Sequence, residues 1–182
     1  APGSATPAQL IISGGALSVF VSFALNADRG IAVGPTTGAG GGMVDVVGGS
    51  TLTYGGIIAD NGSGMGTLSK TSGGTLTLSG TNTYTGLTTI SDGKLFVSGG
   101  AAIANTSAVS ISSTGILELG ADETIGRLLG VAGSSVTLGA NFLGINATGS
   151  AANFAGSIAG TGGVTKSGTG VQRFSGTNTY TG

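Results

Sequence analysis

The 182 residues are enough for one domain, but glycine fills 39 positions, charged residues only 7%, and cysteine, histidine and tryptophan are absent. Such a chain excludes long helices, since each interior glycine costs about 1 kcal/mol against alanine, and it excludes a disulfide framework or a thiolate metal site. Six basic against seven acidic residues leave a net charge of −1, no footprint for nucleic acid or an anionic membrane. A hydrophobic content of 39% is the reverse of the disordered signature, so the composition points to many short strands joined by glycine turns.

In chain order, residues 1–9, with Pro2 and Pro7, read as an irregular lead-in. The stretch Ala16–Leu25 alternates so that Leu17, Val19, Val21, Phe23 and Leu25 share one face, predicted to be inward. It is too short and too serine-broken to span a bilayer, and with no basic stretch before it, it does not read as a signal peptide. Asn26–Gly30 is a turn, Ile31–Val33 a strand and Gly34–Gly42 a glycine-rich loop. Met43–Val47 is a strand with Asp45 outward, and Gly48-Gly49-Ser50 turns the chain into Thr51–Tyr54. In Thr75–Leu78 the leucines point in and the threonines out. Gly93–Val97 repeats the scheme with Leu95 and Val97. Further short strands fall at 108–112, 116–119, 124–129, 135–138 and 142–145, with gaps too short for crossover helices.

The octapeptide Ser79–Gly86 returns unchanged as Ser175–Gly182. Extended backwards, 66–86 against 162–182 is identical at 11 of 21 positions, with Lys70 matching Lys166 and Gly74 matching Gly170. Upstream, Gly56-Ile57-Ile58-Ala59 matches Gly156-Ser157-Ile158-Ala159, the first copy carrying four extra residues. The repeat copies are 56–95 and 156–182, the second stopping in mid-motif. Their recurring positions are Lys70, Gly74, Leu76, Leu78, Gly80, Asn82, Tyr84 and Gly86, with Lys166, Gly170, Asn178, Tyr180 and Gly182 in the second copy.

Strands with one apolar face and no room for crossovers bury that face by coiling, each coil pairing in parallel with the next. At roughly 20 to 25 residues per coil the chain predicts about eight coils, a rod of roughly 40 Å at the strand spacing. The fold class is therefore all-β, a parallel β-helix read as one solenoid segment over residues 1–182 and as part of a longer rod; a β-sandwich is the structural alternative.

The block Gly66–Gly86 continued by Leu87–Leu95, with its Asn-Thr-Tyr-Thr-Gly core and second copy, resembles the passenger-associated repeat of bacterial autotransporters. Gly120–Gly126 and Ser135–Gly139 are similar to the spacer between two such repeats, and Asn26–Ile31 and Thr51–Gly55 also look typical of these passengers. The resemblance implies a right-handed parallel β-helix outside a Gram-negative-type cell, exported through an outer-membrane β-barrel elsewhere in the protein, with the repeat serving secretion and folding rather than catalysis. One departure stands out: Val171-Gln172-Arg173-Phe174 replaces Thr75-Leu76-Thr77-Leu78. Gln172 thus falls where Leu76 points inward, and because a buried unpaired amide costs roughly 1–3 kcal/mol the sequence predicts it exposed.

A β-helix can also host polysaccharide chemistry, so the carboxylates matter. Asp122 and Glu123 are the adjacent pair, but neighbours on an extended chain point apart and do not form the facing pair that glycoside hydrolysis needs; they read as a solvated turn. Asp28, Asp45, Asp60, Asp92 and Glu118 are scattered singly. Without histidine there is no Ser-His-Asp triad, and no cofactor or metal is implied. Asn61, Asn105 and Asn146 open glycosylation sequons, frequent by chance among so much serine and threonine. Gly38–Gly42 and Gly62–Gly66 read as turns rather than phosphate loops. Thr51/Thr53, Thr75/Thr77, Thr83/Thr85 and Thr179/Thr181 could order water only if stacked on nearly every coil. Tyr84 and Tyr180 read as packing beside a turn, with sugar stacking the alternative. The function that follows is a stalk or adhesin scaffold without catalysis. The alternatives are a self-assembling extracellular fibre, joined head-to-tail or laterally, and a polysaccharide-active enzyme; a surface glycan or protein ligand is left unnamed.

Overall fold

The computed structural model describes residues 6–182, with side chains from Gln9 onward. Among these, nineteen strands and no helix are found, and every strand pairing is parallel. Eight coils stack, each turning through three faces. The first face carries β1 (Thr6–Ile12), β4 (Arg29–Val33) and β7 (Ile58–Asp60), then, after two coils, β12 (Glu123–Ile125), β15 (Leu143–Asn146) and β18 (Val164–Ser167). The second carries β2 (Ala16–Val19), β5 (Ala39–Val46), β8 (Met65–Thr71), the first halves of β10 (Thr88–Val97) and β11 (Ala108–Leu119), then β13 (Arg127–Gly130), β16 (Ala152–Phe154) and β19 (Gln172–Phe174). The third carries β3 (Phe23–Leu25), β6 (Thr51–Tyr54), β9 (Thr75–Leu78), the second halves of β10 and β11, β14 (Ser135–Gly139) and β17 (Ser157–Gly160).

Period two explains the core. Leu76 and Leu78 are 1% exposed between outward Thr75 and Thr77. Parallel register stacks like on like: Leu52, Leu76, Leu95, Leu117, Val136 and Ile158 form one column through six coils, none above 1% exposed. Each such side chain contributes about 1.5–3 kcal/mol. Coil length is not constant: Leu76 pairs with Leu95, 19 residues on, and Phe23 with Leu52, 29 residues on. β10 and β11 run through the corner between the second and third faces at the paired Gly93 and Gly115. Gly93 has φ +66°, and a Cβ on Gly115 would lie 2.6 Å from the Ile90 carbonyl, so nothing larger fits beneath the neighbouring coil.

Three expectations need correction. Ala16–Leu25 is not one strand: the chain turns between β2 and β3, leaving Phe20 and Val21 71% and 72% exposed, while Phe23 resumes the inward column by pairing with Leu52. Ser50 Oγ donates to the Phe20 carbonyl and Thr51 N–H to Ser22 Oγ, fixing this corner. Alternation within an apolar run carries no mark of where a corner falls. The second half of the loop expected at 34–42 is the start of β5, where Gly40, Gly41 and Gly42 pair with Gly66, Thr67 and Leu68. These glycines are there for close packing: a Cβ on Gly42 would meet the Ile12 carbonyl at 2.8 Å. Finally, β1 begins at Thr6, inside the stretch expected to be irregular; residues 1–5 lie outside the described residues.

Candidate functional site

The polar residues inside the coil are concentrated where the first face has no strand. Between β7 and β12 two coils cross this face irregularly, and side chains take over the ladder. Ile58 N–H donates to Asn82 Oδ1 at 2.7 Å, and Asn82 Nδ2 donates to the Ala102 carbonyl at 2.6 Å. From the next coil, Glu123 accepts from Ala102 N–H and Ile103 N–H, each at 3.1 Å. Asn82 is 4% and Glu123 2% exposed. Beside them Tyr84, wholly buried, shares a 2.6 Å hydrogen bond with the buried Thr88 hydroxyl. Burial holds the Tyr84 hydroxyl well above its ordinary pKa, and burial raises Glu123 to about 7 against the two N–H donors that pull it down.

Lys70 sits in the second-face column between Val44 and Ile90 and is 1% exposed. Its ammonium folds back onto the carbonyls of Thr71 (2.7 Å), Ser72 (2.6 Å) and Asp92 (3.2 Å) at the corner. Burial lowers its pKa to about 8, the nearby Asp92 and Asp45 opposing the fall. Asp45, outside the coil, is held below its usual range by the Ser72 hydroxyl and then Thr71. Lys166 makes the same clasp on Ser167 and Gly168 carbonyls (2.6 and 2.9 Å), but in an exposed position.

The two repeat copies do not sit on the same face. Lys70 lies on the second face in β8, Lys166 on the first in β18. Asn82 and Tyr84 cross the first face, whereas Asn178 bridges to Ile158 on the third. What is kept is the local stacking: Thr83 N–H donates to the Ile58 carbonyl and Thr179 N–H to that of Ile158, so each Asn-Thr-Tyr-Thr-Gly lies on its own Gly-x-Ile-Ala. The longer first coil is anchored by Asp60, which accepts from Gly66 N–H, Thr85 N–H and Thr85 Oγ1. Gly160 stands in its place in the second copy. Leu76 and Leu78 line the core, while Gly74, Gly80 and Gly86 lie against carbonyls of the coil beneath, 2.0 to 2.5 Å from where a Cβ would be. Gly182 abuts the Thr161 carbonyl at 2.6 Å on the same construction, and Gly170 has 3.1 Å to Ala147. Tyr180 is half-buried, and Asn178 Nδ2 turns to the Gly176 carbonyl in an exposed position.

Gln172 is half-buried rather than exposed, and it is paired. It continues the column of Leu128 and Ala152 on the second face, and its amide reaches past the small Ala152 to Leu128, donating to the carbonyl at 2.8 Å and accepting from N–H at 3.1 Å. The rotation of the second copy is the reason: Gln172 does not occupy the face of Leu76.

Asp122 and Glu123 point apart, as their adjacency implies. Asp122 is exposed and accepts from Phe142 N–H at 2.8 Å, but Glu123 is inside the coil rather than in a solvated turn. The sequence reading named Lys70 as a repeat position and Glu123 as a turn carboxylate but did not turn either inward, and the signal was parity: Lys70 keeps step with Leu68, and Glu123 with Ile125. Thr51/Thr75 and Thr53/Thr77 do stack, but Lys94 and Phe96 follow in register, then Ile116 and Glu118. The Lys94–Glu118 pair closes at 2.6 Å over that interruption. Asn105 and Asn146 are exposed, whereas Asn61 Nδ2 is engaged by the Gly34 carbonyl at 3.0 Å. Among the described residues no group of three histidines, cysteines or carboxylates could hold a metal ion.

A stacked parallel coil whose inner polar groups serve the backbone defines a structural solenoid, and comparison with known proteins gives its class. The passenger-associated-transport-repeat family matches residues 68–95 and 164–182, so the chain carries autotransporter passenger repeats. Over 188 aligned residues it is 35% identical to a protein named "Adhesin BmaC autotransporter" from Brucella suis biovar 1 (strain 1330), an alignment covering 98% of this chain. It spans only 5% of that relative's length. No solved structure matches.

Proposed function

We propose that this chain is a structural, non-catalytic segment of a passenger carried on the outer surface of a bacterial cell, where it serves as stalk and scaffold for adhesion. One observation carries the reading: the polar groups inside the coil are spent on holding coil to coil, as in the Asn82–Ala102–Glu123 bridges. Among the described residues no buried side-chain nitrogen or oxygen lacks a partner, and the partners of Asn82, Glu123 and Lys70 are backbone groups. The translocating outer-membrane barrel belongs to another part of the protein, and the residues matched by the repeat family act in holding the passenger together. Antibodies to this segment label intact cells, and removing whole coils from the full-length protein shortens its projection by about 4.8 Å per coil and reduces adhesion. Release of reducing or unsaturated sugar ends by the purified segment, abolished in D122N or E123Q, would overturn the reading.

A further inference from the structure

An open groove of about 430 Å³ runs along the corner between the first and second faces. Its residues come from four successive coils, because Leu68 pairs with Thr88, Thr88 with Val109 and Ala108 with Arg127. Met65 and Leu87, 51% and 37% exposed, stand at one end, Arg127 and Leu129 at the other, and Ala108 and Ser110 lie between. No carboxylate and no aromatic ring lines it. The basic residue there is one of only six in the chain, and among the described residues its guanidinium makes one hydrogen bond, from Nη1 to the Ser150 carbonyl at 3.3 Å. A sugar would look for an aromatic platform; a trough of aliphatic side chains edged by the Thr85, Thr106 and Ser110 hydroxyls and closed by the Arg127 cation complements an apolar side chain next to a negative charge. The strands beneath are paired on both edges, so strand addition is closed and recognition falls to side chains.

We propose that this groove holds an extended segment of a partner protein, with an aliphatic side chain over Leu87 and Ala108 and a carboxylate on the Arg127 guanidinium. This deepens the adhesive reading by naming its partner class. The test is titration of the ¹⁵N-labelled segment with the peptide acetyl-Gly-Leu-Ser-Asp-Leu-Gly-amide, its Asp→Asn analogue, and N-acetylneuraminic acid. The expected result is saturable shifts at the Leu87, Ala108, Arg127 and Leu129 amides. The Asn analogue binds about fivefold more weakly, R127Q abolishes that difference, and A108W, which fills the trough, removes binding with the fold retained by circular dichroism. Equal affinity for the two peptides, shifts elsewhere, binding intact in A108W, or saturation by the sugar alone would overturn the proposal. Failure of the peptide to bind while antibodies still label cells refutes the groove alone; binding without labelling refutes surface display alone.

Discussion

Asn82 and Glu123 grip the same dipeptide from opposite sides: the asparagine donates to the Ala102 carbonyl, and the glutamate accepts from the Ala102 and Ile103 amides. The repeat's most distinctive residue and the spacer's buried carboxylate thus clamp the second of the two coils that cross the first face without a strand. A buried backbone group without a partner costs about 1–3 kcal/mol, so these two side chains do the work of a missing ladder.

Asn82→Ala therefore strips partners from Ile58 N–H and the Ala102 carbonyl together, and stability falls by about 2–4 kcal/mol. Thermal unfolding followed by circular dichroism checks this; a loss of less than about 0.5 kcal/mol would refute the clamp.

Glu123 adds a pH dependence of known sign. Its folded pKa is about 7, above the unfolded value of about 4.3. Between these values the native chain binds the extra proton, so this group's contribution is full below the unfolded pKa and is lost as pH rises through 7. Glu123→Gln removes that slope between pH 4.5 and 7. It also sets an amide N–H₂ against one of two N–H donors, lowering stability by about 1–3 kcal/mol at pH 5. Urea midpoints across this range check both effects.

Lys70 acts in the opposite pH window. Its folded pKa of about 8 lies below the unfolded value of about 10.4, so between these the unfolded chain binds more protons and the contribution to stability rises with pH. The difference between wild type and Lys70→Met should therefore grow from pH 8 to 9.5.

Glycine substitutions read out the coil contacts. A Cβ on Gly80 would come within 2.0 Å of the Gly56 carbonyl, whereas on Gly170 the nearest atom is 3.1 Å away. Gly80→Ala costs about 1–3 kcal/mol through backbone displacement and Gly170→Ala less than half of that, measured by chemical denaturation.

The architecture was legible because leucine–threonine alternation and glycine spacing survive in short windows: Thr75–Leu78 specifies its own face without help from afar. The corner at Phe20–Ser22 was not legible, since it is set by Ser50 and Thr51 reaching from the next coil. The inner polar residues were half legible. Parity with Leu68 and Ile125 turns Lys70 and Glu123 inward, but only the coil above or below supplies the carbonyls and amides that make a buried charge tolerable. Self-similarity also misled in one respect, because identical octapeptides suggest equivalent places, and coil lengths between 19 and 29 residues do not preserve them.

That mismatch has a geometric outcome. Going from Leu68 on the second face to its counterpart Val164 on the first takes four full circuits and two-thirds of a fifth. Were the same interval kept along a longer passenger, each motif would be turned by a third of a circle from the last. The marks would wind about the axis like a screw thread, and three in sequence would look out in every direction.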